Sequence, residues 1–179
     1  DGVDPSTLTY TDFGCGSGYF VGALQALGIK CLSGTEVSET QVEMGNQILN
    51  GSPLRKHNLN ETDSVLRQCE SQVVSMIGVL EHLSDPRSAV KSLKANKANE
   101  YFYFSVPMDS PSLYIEMASE KLFHRHLQGG HTHLYTEQSL NYLAAQFGFT
   151  IIAEWWFGAD SVHWYRSLWV SLQKHQNQY

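Results

Sequence analysis

The segment Asp12-Phe13-Gly14-Cys15-Gly16-Ser17-Gly18 holds the most specific chemical signal in the chain. A short apolar run from Leu8 to Phe13 precedes it, and a helical pattern from Tyr19 to Leu27 follows. Glycines at alternate positions let the backbone take positive φ and leave no Cβ between the main chain and a ligand. A helix that starts there turns its free N–H groups and the positive end of its dipole toward an anion. Glu36 follows about 20 residues later, at the end of a second predicted strand, where a carboxylate accepts hydrogen bonds from ribose hydroxyls. The spacing is G-x-G-x-G, not the G-x-G-x-x-G of dinucleotide enzymes, which disfavours a nicotinamide oxidoreductase. The expected ligand is S-adenosylmethionine (AdoMet), whose anionic end is a carboxylate and not a pyrophosphate.

Histidines form the second group. Four of the eight, His124, His126, His131 and His133, lie close together. A general base is one reading, since histidine titrates nearest neutral pH. A divalent metal site is another, although no cysteine and few carboxylates accompany the cluster. The third is a set of polar loop residues folded over an acceptor. H-x-H spacing on an extended segment puts two side chains on one face. His131 and His133 are the preferred pair because they precede a helix on the ligand side of the fifth strand.

Alternation of short apolar runs with helical stretches predicts the elements that position these residues, in the pattern of a βαβ sheet. Strands are expected at 8–13, 30–35, 54–57, 72–77 and 101–106, with a closing hairpin from 150–157 and 167–172. Helices are expected at 19–27, from Ser38 through Leu49, from Pro86 behind an Asp85 cap, and from Thr136 to Phe147 before Gly148. Residues 108–135 read as an insertion on the substrate side of a single domain spanning 1–179. The aromatic tail (Trp155, Trp156, Phe157, Trp164, Tyr165 and Trp169) is expected to pack the last strands. Its 158–166 loop also offers a stacking wall for a ring acceptor or a dimer surface.

The chain has 179 residues and a formal net charge of −6, with no basic patch, which argues against a nucleic-acid partner. No apolar run is long enough to span a membrane and no signal peptide is visible, so no membrane association is expected. Three cysteines without C-x-x-C spacing read as free thiols in the cytoplasm. The absence of an initiator Met is consistent with a domain excised from a longer chain.

Tyr10 through Phe20 resembles motif I of the class I AdoMet-dependent methyltransferases, and Gly34-Thr35-Glu36-Val37-Ser38 resembles their post-I segment. Val79-Leu80-Glu81-His82-Leu83-Ser84-Asp85-Pro86 is similar to the strand-4 exit of the methyltransferase-domain group that acts on small molecules. His131 through Phe149 also resembles that group, which includes many sugar and polysaccharide-locus members. The resemblance implies a Rossmann-like α/β fold with seven strands in the order 3-2-1-4-5-7-6 and helices on both faces. It further implies that Gly14, Cys15, Gly16 and Gly18 line the methionine moiety, with Asp12 bracing the loop or reaching the ammonium through water. Glu36 and Val37 would serve the ribose, and Asn58 and Leu59 the adenine, with Asn58 standing where relatives often carry an acid. Ile77 and Gly78 would lie beside the sulfonium.

An oxygen acceptor needs a base. Glu81 and His82, just past the sulfonium position, join His131 and His133 as candidates, although His82 is equally suited to tying down its own turn. Ubiquinone-pathway relatives place a metal-binding carboxylate where this chain has Gly78, so no metal is expected at that point. An Asn-Pro-Pro-Tyr type motif is absent after the fourth strand, which disfavours amino groups of DNA bases. The expected activity is methyl transfer to a small-molecule acceptor, most simply a sugar or polysaccharide oxygen, leaving S-adenosylhomocysteine. A non-catalytic AdoMet-binding module is the alternative.

Overall fold

The computed structural model describes residues 4–109, 130 and 132–155. The chain divides into two compact units, one comprising 1–107 with 132–135 and the other 108–131 with 136–179.

The first unit is built on a parallel sheet of five strands in the order β3-β2-β1-β4-β5. In chain order these are β1 (Thr9–Phe13), β2 (Cys31–Glu36), β3 (Leu54–Lys56), β4 (Val73–Ile77) and β5 (Tyr101–Ser105). The intervening helices are α1 (Tyr19–Ala26), α2 (Glu39–Ile48), α3 (Thr62–Gln68) and α4 (Pro86–Ala95). β1 is central, with Thr9 through Phe13 registered against Cys31 through Thr35, and Tyr10 through Asp12 against Val73 through Ser75. The strand order changes direction between β1 and β4, and ligands of open α/β sheets bind at such a point beyond the strands' carboxyl ends.

Local chemistry sets the helix starts. Ser38 caps α2 by accepting the Gln41 N–H, and Asp85 caps α4 by accepting the Ser88 N–H, with Pro86 following where its missing N–H costs nothing. Cys15, Val21, Val42 and Leu54 form one buried cluster, with Leu32 and Leu49 packed against it. Val74, Met76, Leu80, Ala89, Val90 and Leu93 are buried elsewhere in the unit. Thr11 adds a polar element to the centre of the sheet, its hydroxyl 2.7 Å from both the Ser33 and the Ser71 hydroxyls.

Helix α3 has no counterpart among the sequence-derived elements. Of its residues Thr62-Asp63-Ser64-Val65-Leu66-Arg67-Gln68 only Leu66 is buried, so no apolar stripe announces it. Neighbouring groups hold it in place: Ser88 donates to Asp63 (2.6 Å), and Asn96 donates to the Leu66 and Cys69 carbonyls (2.9 and 2.6 Å).

In the second unit the described part centres on α5 (Glu137–Phe147). Thr136 accepts the Ser139 N–H, the Ser139 hydroxyl accepts the Thr136 N–H, and Gly148 closes the helix at φ 68°. Residues 150–155 pair with no strand among the described residues, and the rest of the expected hairpin lies outside them. Most of the expected 108–135 insertion also lies outside. Its last four residues, Thr132–Tyr135, belong to the first unit.

Candidate active site at the carboxyl ends of the strands

The loop after β1 is a left-handed glycine turn. Gly14, Gly16 and Gly18 have φ of 74°, 54° and 75°. At Gly14 a Cβ would come within 2.5 Å of the Val79 side chain, so only glycine lets the turn after β4 close against this loop.

Most loop amides face the protein. Gly14 and Cys15 both donate to the Thr35 carbonyl (2.8 and 3.0 Å), and Gly18 donates to the Cys15 carbonyl (2.9 Å). Gly16 donates to Glu36 Oε2 at 2.9 Å. Glu36 Oε1 in turn accepts the N–H groups of Val37 (2.8 Å) and Ser38 (3.1 Å). The carboxylate is therefore aimed by three backbone donors, and Oε2 keeps one acceptor position open. The N–H groups of Tyr19, Phe20 and Val21 begin α1 and have no acceptor within the helix, which makes them the donors able to meet an anion there.

Asp12 is buried in the sheet and accepts the Ser75 hydroxyl at 2.7 Å, a bond between adjacent strands. Burial, helped by the nearby Glu36 charge and opposed by the Ser75 hydrogen bond, raises its pKa to about 6. Glu36 reaches the loop directly through the Gly16 N–H. Cys15 contributes main chain only: its thiol is packed in the apolar cluster, where burial and then the Asp12 and Glu36 charges push its pKa up to about 12.

Beyond β3, the Asn58 N–H and side-chain Nδ2 both donate to Glu61 Oε2 (2.9 and 3.0 Å). That arrangement assigns the amide orientation, with Oδ1 as the acceptor of the side chain. Val37, Leu59 and Ile77, at or just past the ends of β2, β3 and β4, expose apolar side chains. Neighbouring His57 is buried, with its ring 4.7 Å from that of Phe13 and its Nδ1 unpartnered. Burial lowers its pKa, while the Glu36 and Glu61 charges oppose the shift. No spacing rule singles out His57 or Ser75. Each acquires its place only when the ends of adjacent strands come together.

The turn after β4 is built differently. Gly78 takes φ 64° and donates its N–H to the Ser105 carbonyl at 3.1 Å. Leu80 and Glu81 are buried, and Glu81 Oε2 has no hydrogen-bond partner among the described residues. His82 is exposed, and its N–H is bonded to the Val79 carbonyl at 2.9 Å. Thr132 and His133 fold back onto this turn: both N–H groups donate to the Glu81 carbonyl, at 2.7 and 3.3 Å. Tyr135 is buried and donates to the Leu80 carbonyl at 3.3 Å. Burial and the Glu81 charge push its pKa to about 12, so it acts as an anchor and not as an acid.

His133 is thus joined to the exit of β4, a connection that the sequence did not indicate, while His124, His126 and His131 lie outside the described residues. Among the described residues, no group of three or more His, Cys, Asp or Glu side chains is placed to hold a metal ion.

A family model described as a methyltransferase domain matches residues 3–154. The chain belongs to that family. No curated protein matches the sequence. Among solved structures, the methyltransferase domain of bacterial CtHen1 superposes with a TM-score of 0.59 at 18% identity, over 81% of this chain and 79% of that one. An AdoMet-dependent methyltransferase from Archaeoglobus fulgidus gives 0.60 at 16% identity, over 95% and 80%. A Haloferax volcanii chain solved with the Trm112 methyltransferase activator gives 0.62 at 18% identity, over 82% and 63%. At these identities the likeness is one of fold. The methyltransferase therefore has the Rossmann-like α/β architecture, and its family implies AdoMet as the methyl donor. The site fits that donor in kind: a loop that a Cβ would fill, an oriented carboxylate with an open acceptor position, and exposed apolar side chains beside it.

Proposed function

We propose that this methyltransferase acts on an oxygen of a small-molecule acceptor, with His133 as the base and a sugar or polysaccharide precursor as the acceptor class. The attachment of His133 to the β4 turn carries the reading, because Val79 of the same turn packs against Gly14 of the cofactor loop. One connection therefore ties a titratable side chain to the place where the methyl donor is held.

The chain's own residues divide the work. Gly14, Gly16 and Gly18 admit the methionine end, and the first turn of α1 meets its carboxylate. Asp12, once ionised, faces the ammonium. Glu36 accepts a ribose hydroxyl at the open position on Oε2, and Asn58 Oδ1 accepts from the adenine amine. Val37, Leu59 and Ile77 supply apolar walls, with Gly78 leaving room beside the sulfonium. When bound, AdoMet supplies an electrophilic methyl group on a good leaving group, so the protein's remaining task is alignment and proton removal. His133 takes the acceptor's proton, and Glu81, with its unpaired Oε2 in the same turn, is the second group able to receive a hydrogen bond from the acceptor. His131 and His82 are the reserve candidates.

The acidic net charge of −6 supports a small molecule over a nucleic acid. The three free thiols support a cytoplasmic setting, and no helix among the described residues is long and apolar enough to cross a membrane. Incubation of the purified chain with AdoMet and a panel of hydroxylated sugars, following S-adenosylhomocysteine release, tests the reading. Methylation confined to amines or carbon acids would overturn the oxygen assignment. Calorimetric titration with S-adenosylhomocysteine against NAD tests the cofactor separately.

A further inference from the structure

The Thr132 hydroxyl has three neighbours: the carbonyl oxygens of Glu81 (3.0 Å) and Leu83 (3.2 Å), and Nδ1 of His133 (2.8 Å). A hydroxyl has one proton to give and lone pairs to receive with. Carbonyl oxygens can only accept. If the proton went to Nδ1, the hydroxyl oxygen would face two carbonyl oxygens with no hydrogen between them. If it goes to the carbonyls, Nδ1–H can donate to the hydroxyl oxygen. The second arrangement satisfies the Nδ1 contact and at least one carbonyl, or both carbonyls where the single proton is shared between them, and the first satisfies Nδ1 alone.

We infer that Thr132 is a positioning residue that fixes His133 in the Nδ1–H tautomer and leaves Nε2 as the basic nitrogen. Its role follows from the way the strap is fastened. Thr132 and His133 are already held to the Glu81 carbonyl through their own N–H groups, so the backbone keeps the Thr132 side chain beside the turn. The same bond survives protonation, because imidazolium still donates from Nδ1. The hydroxyl therefore orients the ring before and after Nε2 takes up a proton. As a neutral acceptor it fixes the tautomer without holding a charge against the ring, unlike the buried carboxylate of a serine-protease triad. The catalytic use of Nε2 rests on the reading of His133 as the base; the tautomer does not.

The test is a two-dimensional multiple-bond proton–nitrogen NMR spectrum of the nitrogen-labelled full chain above the titration range of His133, assigned by difference with His133→Gln. We expect Nδ1 protonated and Nε2 bare in the wild type. Thr132→Ser should keep that pattern, and Thr132→Val should shift His133 toward Nε2–H. An Nε2–H tautomer in the wild type overturns the proposal without recourse to any variant, as does an unchanged tautomer in a folded Thr132→Val chain. In turnover, Thr132→Val should lower kcat about tenfold or more, displace the pH profile with little change in KM, and be rescued by serine. The spectrum needs no acceptor. Full activity in His133→Ala with the Nδ1–H tautomer intact would therefore overturn the base assignment alone and leave the role of Thr132 standing.

Discussion

Glu36 ends β2 and Glu81 lies just past β4, and the surroundings of the two carboxylates are opposite. Glu36 accepts three backbone N–H groups from the loop and turn around it. Glu81 is buried with Oε2 unpartnered. Burying a polar oxygen without a hydrogen bond costs free energy, whereas a carboxylate among backbone donors is stabilised. The cofactor side thus arrives with its carboxylate already oriented by the chain. On the proposed acceptor side, Glu81 Oε2 lacks a partner among the described residues, beside a histidine whose Nδ1 meets the Thr132 hydroxyl. The contrast agrees with a division between a standing cofactor site and a site completed by the acceptor.

The largest effect expected is on chemistry. His133→Ala should lower turnover by about 10²–10⁴-fold while leaving S-adenosylhomocysteine affinity within a factor of two or so. Retained activity would strike His133 from the mechanism. Glu36→Ala should do the reverse, weakening S-adenosylhomocysteine about 10- to 100-fold through loss of the ribose contact and of the loop's brace. An unchanged dissociation constant would end the ribose assignment.

Asp12 sharpens the comparison through pH. Its folded pKa of about 6 lies above the usual aspartate value, so the folded chain holds a proton that the unfolded chain has released. Stability from this group is therefore fully present below about pH 4 and falls as pH rises toward about 6, by up to about 3 kcal/mol. A cationic ammonium beside Asp12 favours its ionised form, so cofactor affinity should rise about tenfold between pH 5 and pH 7. Titrations at both pH values check this, and Asp12→Asn should flatten the dependence. Equal slopes in the two proteins would remove Asp12 from the ammonium.

The smallest effect is the one that would break the contrast. Glu81→Leu removes a buried oxygen that lacks a partner and should raise stability by about 1 kcal/mol or more in thermal unfolding, while lowering turnover. Destabilisation would mean that Glu81 serves the fold and that the two carboxylates do not differ in kind.

The legible features were those written in local chemistry. Alternating apolar runs gave the five strands, and Ser38, Asp85-Pro86, Thr136 and Gly148 marked helix ends through their own capping groups. Gly14, Gly16 and Gly18 signalled the turn because their missing side chains are required there. Helix α3 stayed hidden because its support is tertiary, supplied by Ser88 and Asn96. The hydrogen-bond partners of Asp12 and Glu36 were likewise not legible. Both carboxylates close adjacent strands, and nothing in the order of residues says which one meets the loop and which one meets Ser75.

The sequence by itself therefore determined the sheet, the glycine loop and the family, because short-range patterns and capping residues act within a few positions along the chain. The tertiary structure alone decided which donors Glu36 receives, which oxygen of Glu81 goes without one, and that Thr132 and His133 reach a turn some fifty residues earlier. Those are matters of distance across the fold, where hydrogen-bond direction and burial are set by neighbours that sequence order does not reveal.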